Sequence, residues 1–257
     1  MARPVAPWRI GVDVGGTFTD LVLVDADAST WVAKVPSVPS DPSQGVLAAV
    51  ERVAVDLGLP TRDVLADCGL FVHGSTVATN TMLEGKGATV GLVTTEGFRD
   101  VIEIRRGLRP DQWNHREPYA PVLVPRYLRL PMAGRIDADG SEHQPLDLGC
   151  IDDVLTAFRD EGVESIAVAF MNSYANPAHE HAAADALGQA WDGDWISTSA
   201  DVSPLMGEYE RTSTAVVNAT LMPLVVGYLH RLETELSERG LVRSLLLVQS
   251  NGGAASV

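Results

Sequence analysis

The run Asp13-Val-Gly-Gly-Thr-Phe-Thr-Asp20 holds the residue types that phosphate chemistry needs, set between the apolar segments Ile10–Val14 and Leu21–Val24. Gly15 and Gly16 permit a tight turn that aims backbone N–H groups at an anion, Thr17 and Thr19 add hydroxyl donors, and Asp13 offers hard oxygens to a hydrated Mg²⁺. Strand alternation puts Ile10, Val12 and Val14 on one face and Gly11 with Asp13 on the other, so Asp13 stands at a strand tip with no side chain below it. A dinucleotide-binding fold would instead need Gly-x-Gly-x-x-Gly running from a strand into a helix. Here Phe18, Val22 and Val24 alternate with residues of the opposite face, which makes the second segment the return strand of a hairpin. A glycine hairpin with a solvated aspartate is the blander reading of this segment taken alone.

Val72 to Asp100 is the second informative run. A strand ending in His73-Gly74 and passing through Ser75 and Thr76 into a helix puts hydroxyls, free N–H groups and an imidazole at the carboxyl edge of a sheet. Ligands of open α/β sheets bind at that edge. The competing reading makes Ser75 or Thr76 a helix cap and His73 a hydrogen-bonded core residue. A Ser/His/Asp hydrolase is not supported, since no Gly-x-Ser-x-Gly elbow is present. Arg105, Arg106 and Arg109 could clamp a carboxylate, yet a charged, solvated loop explains them more simply. Glu208, Glu210 and Arg211 are spaced as ion pairs on a surface or between domains. His179 and His181, two apart on a helix, do not share a face and so make no metal site. Met206 and Met222 read as core.

The elements that must position these residues follow from periodicity. After the hairpin, Trp31–Val35 is a third strand, and Pro36, Pro39 and Pro42 hold the chain extended before an apolar-periodic helix from Gln44 to Leu57, which Gly58 and Pro60 close. Gly69–His73 is a short strand, Thr76–Leu83 a helix and Ala88–Thr95 a strand. From Arg105 to Pro145 six prolines break the pattern. Helices near Ile151–Glu161 and Pro177–Ala190 then alternate with strands Ser165–Phe170 and Trp195–Thr198. Two helices, Tyr209–Leu221 and Leu224–Glu238, with Pro223 at the first turn of the second, precede a strand at Ser244–Gln249. Strands alternating with helices imply an α/β fold whose sheet is largely parallel after an opening antiparallel meander.

With 34 acidic against 19 basic residues the formal net charge is -15, which disfavours nucleic acid and anionic membrane as main partners. Cys68 and Cys150 form neither a Cys-x-x-Cys pair nor a Cys/His cluster, so a disulfide framework and a structural zinc site are not indicated, and a reducing cytoplasm is expected. No run approaches the roughly 18–20 apolar residues of a membrane span, and the first residues lack the apolar stretch of a signal peptide. At 257 residues the chain holds one large or two modest domains.

Five ordered segments, Gly11–Asp20, His73–Arg106, Phe170–Glu180, Glu208–Ala219 and Gln249–Gly253, resemble the hydantoinase A, 5-oxoprolinase and acetone carboxylase beta-subunit group of the actin-like ATPase superfamily. The resemblance covers most of the chain. It implies an actin-like ATPase (ribonuclease H-like) domain at 8–205 and the start of a second α/β domain at 206–257. It also implies ATP-dependent activation of a cyclic amide or imide, by phosphoryl transfer to the carbonyl oxygen before ring opening. On that model Asp13 positions Mg²⁺, Gly15, Gly16, Thr17 and Thr19 hold phosphates, and Asp20 orients the hairpin or the metal shell. His73, Ser75, Thr76 and Asn80 are candidates for the substrate side. A hydantoinase B-type subunit is the expected partner. Because the family's second phosphate loop and adenosine-contacting region lie past the part matched by Gln249–Gly253, the chain is expected to be a fragment or half of a split enzyme, weakly active alone. A small-metabolite (sugar) kinase of the same superfamily and a non-catalytic truncated subunit stay open as alternatives.

Overall fold

The structure is a computed structural model that describes residues 5–108, 111, 113, 114, 116, 117 and 121–256. In chain order its elements are β1 (Trp8–Val14), β2 (Phe18–Val24), β3 (Thr30–Pro36), α1 (Pro42–Leu57), α2 (Thr61–Ala66), β4 (Cys68–Ser75) and α3 (Val77–Glu84). There follow β5 (Val90–Thr95), α4 (Val101–Ile104), a 3-10 turn at Arg126–Leu128, β6 (Arg129–Met132), β7 (Arg135–Ile136), β8 (Glu142–Gln144), α5 (Ile151–Asp160) and β9 (Ser165–Ala169). The last are α6 (Ala178–Ala190), β10 (Ile196–Thr198), α7 (Ser199–Val202), α8 (Glu208–Glu238), β11 (Leu245–Val248) and β12 (Ala254–Ser256). They divide into two compact units, Met1–Lys86 with Leu224–Val257, and Gly87–Pro223. Arg109 lies outside the described residues.

The first unit is built on a six-stranded sheet in the order β12-β11-β4-β1-β2-β3. The antiparallel meander β1–β2–β3 forms as expected, and β4 pairs parallel to β1. The strand expected at Ser244–Gln249 joins this same sheet as β11, parallel to β4. Alternation sends Ile10, Val12, Val14, Leu21, Leu23 and Phe71 to one face, where they meet Val46, Val50 and Val53 of α1 and Tyr228, Leu229 and Leu232 of α8. Each fully buried aliphatic side chain of this kind contributes about 1.5–3 kcal/mol. The helix can lie this close only because position 45 is glycine: a Cβ there would stand 2.6 Å from Thr19 Oγ1. Pro60, read from sequence as closing α1, is instead the N-cap of the short helix α2. Arg9, Gly11, Asp13, Val22 and Val32 project from the opposite, exposed face of the sheet.

The second unit contains a four-stranded sheet, β10-β9-β5-β6, parallel throughout. Every residue of β5 and β9 is buried, as strands covered on both faces require. A polar network fixes its carboxyl edge. Glu180, fully buried, accepts hydrogen bonds from Phe170 N (2.7 Å), Ser199 Oγ (2.6 Å) and Ala200 N (2.8 Å). Arg211, also fully buried, donates to Ser199 Oγ (3.1 Å), Phe170 O (2.9 Å), Leu205 O (3.0 Å) and the Glu208 carboxylate. The expectation of a surface or interdomain ion pair therefore fails for Arg211, whose charge is enclosed and fully engaged; Glu210 alone makes an exposed pair, with Arg106 at 2.7 Å.

Three further expectations are corrected. The two helices expected either side of Pro223 are one, α8, with the proline inside it. Pro223 has no N–H to give, and beside it the carbonyl of Thr220 is taken by Ala88 N at 2.9 Å. By length and mean hydropathy α8 is apolar enough to cross a membrane, although no such run was expected. Its apolar residues are spent on two cores: Ala215, Val216 and Ala219 pack in the second unit, Tyr228, Leu229, Leu232 and Leu236 in the first. Met206, read as core, is 77% exposed. His179 and His181 go separate ways, to Glu142 (2.7 Å) and Asp201 (3.0 Å).

Substituting Arg211→Ala leaves Glu208 Oε2 and the carbonyls of Phe170 and Leu205 without the guanidinium donor, and should destabilise the protein by about 3–5 kcal/mol. Denaturant titration followed by circular dichroism measures this. A loss below about 1 kcal/mol would mean that the network is dispensable.

Candidate functional site

The Gly15-Gly16-Thr17 turn closes the hairpin with Gly15 N donating to Phe18 O at 3.0 Å. That N–H is therefore consumed within the turn, which leaves Gly16 and Thr17 as the backbone donors for an anion. Ser37, just past β3, clamps the turn from one side: its Oγ donates to Gly15 O (2.8 Å) and its N–H to Thr17 O (3.0 Å). The start of α3 clamps it from the other. Thr76 N bonds Val14 O at 3.2 Å, and Asn80 Nδ2, which donates to Thr76 Oγ1 at 3.2 Å, lies 3.5 Å from where a Cβ on Gly16 would be. Ser75 Oγ accepts from Val77 N (3.1 Å) in the turn that leads into α3, whose N-cap residue is Thr76.

On the exposed face of the sheet one row crosses four strands: Lys34, Asp20, Asp13, Gly74. Lys34 Nζ reaches both oxygens of Asp20 at 2.8 Å, which neutralises that carboxylate. Asp13 makes no ion pair among the described residues, so the unbalanced negative charge of the row rests on it. Gly74 makes room for it, since a Cβ there would stand 3.2 Å from Asp13 Oδ1. One free carboxylate beside a turn of backbone donors suits Mg²⁺, which keeps most of its ligands as water and phosphate oxygens. No group of three or more potential metal-ligating side chains occurs among the described residues.

Two of the sequence-derived candidates face away from that row. Thr19 is fully buried on the helix side, its hydroxyl shared with Ser37 Oγ at 2.9 Å, so it braces the turn instead of presenting a donor at its tip. His73, 1% exposed, is the register partner of Val12 and points into the same core. Its Nε2 lies 2.8 Å from the hydroxyl of Tyr228 on α8. Burial lowers the imidazole pKa to about 4 and raises that of the phenol, with the Asp41 carboxylate adding to the latter, so both are neutral near pH 7. A cavity of about 450 Å³ opens beside the turn and is lined by Gly15, Gly16, Asn80 and Tyr228, among others. Asp13, Asp20, Gly15, Gly16, Thr17, Ser75, Thr76 and Asn80 are thus gathered around one hairpin end. Ser37 and Tyr228 were missed: a lone serine between prolines and a tyrosine in an apolar helix carry no local signal.

A model of the hydantoinase/oxoprolinase N-terminal region matches residues 9–190, and the hydantoinase/oxoprolinase model matches residues 211–257. The caprolactamase subunit alpha of Pseudomonas jessenii is 39% identical over 96% of this chain and 36% of its own. The acetophenone carboxylase gamma subunit of Aromatoleum aromaticum is 34% identical over the same shares. The crystal structure of the ATP-dependent caprolactamase of Pseudomonas jessenii superposes with a TM-score of 0.88 over 96% of this chain. Acetone carboxylase in its nucleotide-free structure, 26% identical, gives 0.88 over 98% of this chain and 37% of its own. These likenesses establish the expected α/β fold of the actin-like ATPase type. The chain spans a little over a third of the length of these relatives.

The depressed pKa of His73 has a consequence for stability. The folded protein keeps the ring neutral down to about pH 4, whereas the unfolded chain takes up its proton near 6.5. The stability due to neutral His73 is therefore present above pH 6.5 and lost as pH falls through 4, by about 3 kcal/mol in all. Denaturation midpoints between pH 7 and pH 4 should fall faster for the native protein than for His73→Gln; parallel curves would contradict the assignment.

Proposed function

The chain belongs to the hydantoinase/oxoprolinase family, and from that premise we propose that it supplies the first phosphate-binding part of an ATP-dependent enzyme that opens a cyclic amide or imide. What carries the reading is Asp13, the unpaired carboxylate at the end of a row whose other carboxylate is already neutralised by Lys34. Mg·ATP would supply the phosphoryl group that activates the amide carbonyl, whose resonance otherwise makes ring opening slow.

The chain's own residues do the positioning. Asp13 holds the hydrated metal, Gly16 and Thr17 donate backbone N–H groups to phosphate oxygens, and Gly15 closes the turn that aims them. Ser37, Thr19 and Thr76 keep that turn in one geometry, which spares the site reorganisation when charge develops. Asp20 stays with Lys34 and orients the hairpin. Ser75 shapes the turn into α3, from which Asn80 reaches toward the phosphate turn on the side assigned to the cyclic amide.

The same proposal divides the chain at 8–205 and 206–257 and places the protein in the cytoplasm. A second phosphate loop, the contacts to adenosine and a hydantoinase B-type partner are assigned to polypeptide outside these residues, in keeping with the relatives' greater length and their names as subunits.

Isothermal titration with Mg·ATP tests the reading. Asp13→Asn should weaken binding at least about tenfold, the equivalent of about 1.4 kcal/mol, and should abolish its dependence on Mg²⁺. Equal affinity in the two proteins would remove Asp13 from the metal site and the reading with it.

A further inference from the structure

The face that α3 turns toward the cavity beside the phosphate turn departs from the pattern of a core helix. Val77, Asn80, Thr81 and Glu84, spaced i, i+3, i+4 and i+7, share one side of the helix and line that space. On α1 the inward stripe is apolar, as Val46, Val50 and Val53 show. On α3 the middle of the stripe is an amide and a hydroxyl. A local break in the inside–outside pattern serves a binding site and does nothing for a core. At about 450 Å³ the cavity falls within the range of small-molecule sites, roughly 300–1,000 Å³. Of the charged residues at its margin, Glu84 and Lys86 are paired with each other at 2.6 Å, and Arg231 lies exposed on α8.

Hydrogen bonding fixes which way the Asn80 amide points. Thr76 Oγ1 gives its one proton to Val14 O (3.4 Å), so toward Asn80 it accepts, and Nδ2 is the atom that donates to it at 3.2 Å. Asn80 Oδ1 and the second N–H of Nδ2 are left over, an acceptor and a donor on one planar group, without a partner among the described residues. Thr81 Oγ1 also has no partner among the described residues and is not sealed from solvent. Since Thr81 is only 6% exposed, that hydroxyl opens on the cavity the residue lines. Asn80 Oδ1, likewise unsealed, belongs to the same stripe.

Resting on the cyclic-amide reading above, we infer that this cavity seats the ring and that Asn80 reads its amide edge to edge, Oδ1 accepting the ring N–H and Nδ2 donating to the ring C=O, with the Thr81 hydroxyl beside them. An open-chain secondary amide is trans, which sets its N–H and C=O on opposite edges. A small ring forces both onto one edge, the arrangement that a single carboxamide meets at both atoms. Asn80 thereby selects a ring whose amide nitrogen carries hydrogen, against linear secondary amides and against N-alkylated rings. Sequence alone offered Asn80 for the substrate side; its bond to Thr76 turns the free edge of the amide into a specificity device.

Titration with 2-pyrrolidinone and with N-methyl-2-pyrrolidinone, each with and without Mg·ATP and followed by ¹H–¹⁵N NMR, tests this. The native protein should bind 2-pyrrolidinone with shifts centred on Asn80 and Thr81, and should bind the N-methyl ring at least about tenfold more weakly, because the methyl group removes the donor and leaves Oδ1 unmatched. Asn80→Ala, whose fold is checked by thermal unfolding, should lose that preference and bind the two rings alike; a merely structural role would weaken both and leave their ratio intact. Asn80→Asp, of the same size but with no N–H to give, should bind 2-pyrrolidinone more weakly than the native protein does. The assignment is overturned by no binding of 2-pyrrolidinone in either condition, by equal binding of the two rings, by a preference that survives Asn80→Ala, by undiminished binding in Asn80→Asp, or by displacement of the ring by Mg·ATP, which would make the cavity the nucleotide's. Loss of Mg·ATP binding in Asp13→Asn beside a ring preference indifferent to Asn80 defeats only this inference. A preference that needs Asn80 in a protein whose nucleotide affinity ignores Asp13 defeats only the phosphoryl-transfer reading.

Discussion

The parallel register of β1 on β4 governs both faces of the first unit at once. It sets Val12 opposite His73 and Asp13 opposite Gly74, and because side chains alternate, those two adjacent rows point in opposite directions. One row enters the core, where His73 meets Tyr228; the next lies open, where Asp13 stands over a glycine. A slip of one residue would turn one strand over relative to the other, burying the carboxylate or exposing the imidazole. The apolar strip Ile10, Val12, Val14 resists that slip with the whole contact between sheet and α1.

The second unit solves a different problem, that of ending a buried parallel sheet whose last carbonyls and N–H groups face no further strand. Glu180 and Arg211 answer it jointly: the carboxylate takes the N–H of Phe170, the guanidinium its C=O, and Ser199 joins the two. Enclosed charges of this kind are tolerable only when every oxygen and N–H is matched. Their contribution is to hold one geometry at the strand ends, not to add a surplus of stability.

Much of this was legible in the sequence. The hairpin, the meander, α1 and the strand–helix step at His73 to Glu84 follow from alternation, helical period and glycine turns, and the constellation around Asp13 was read from spacing alone. What was not legible depends on contacts distant in sequence. Nothing local distinguishes Thr19, which braces the turn, from Thr17, which crowns it; the difference is Ser37 and Gly45 arriving on the other side. Arg211 carries the pattern of a surface ion pair because its partners, Ser199 and Phe170, are drawn from another part of the chain. Helix-breaking chemistry at Pro223 is real, yet the packing of both halves of α8 outweighs it.

The first unit is discontinuous in sequence: Gly87–Pro223 intervenes between α3 and the residues that complete the sheet. During synthesis from the amino terminus, β4 therefore emerges with one edge lacking its neighbour, and keeps that open edge until β11 leaves the ribosome. Unpaired edges invite association with other chains, and pairings between distant segments form late. The inserted unit, contiguous in sequence, can acquire its own core in that interval. The segment synthesised in the middle thus has all the strands of its own sheet before the first unit gains β11, whereas the supports of the phosphate turn, Ser37, Thr19 and Thr76, precede that segment in the chain.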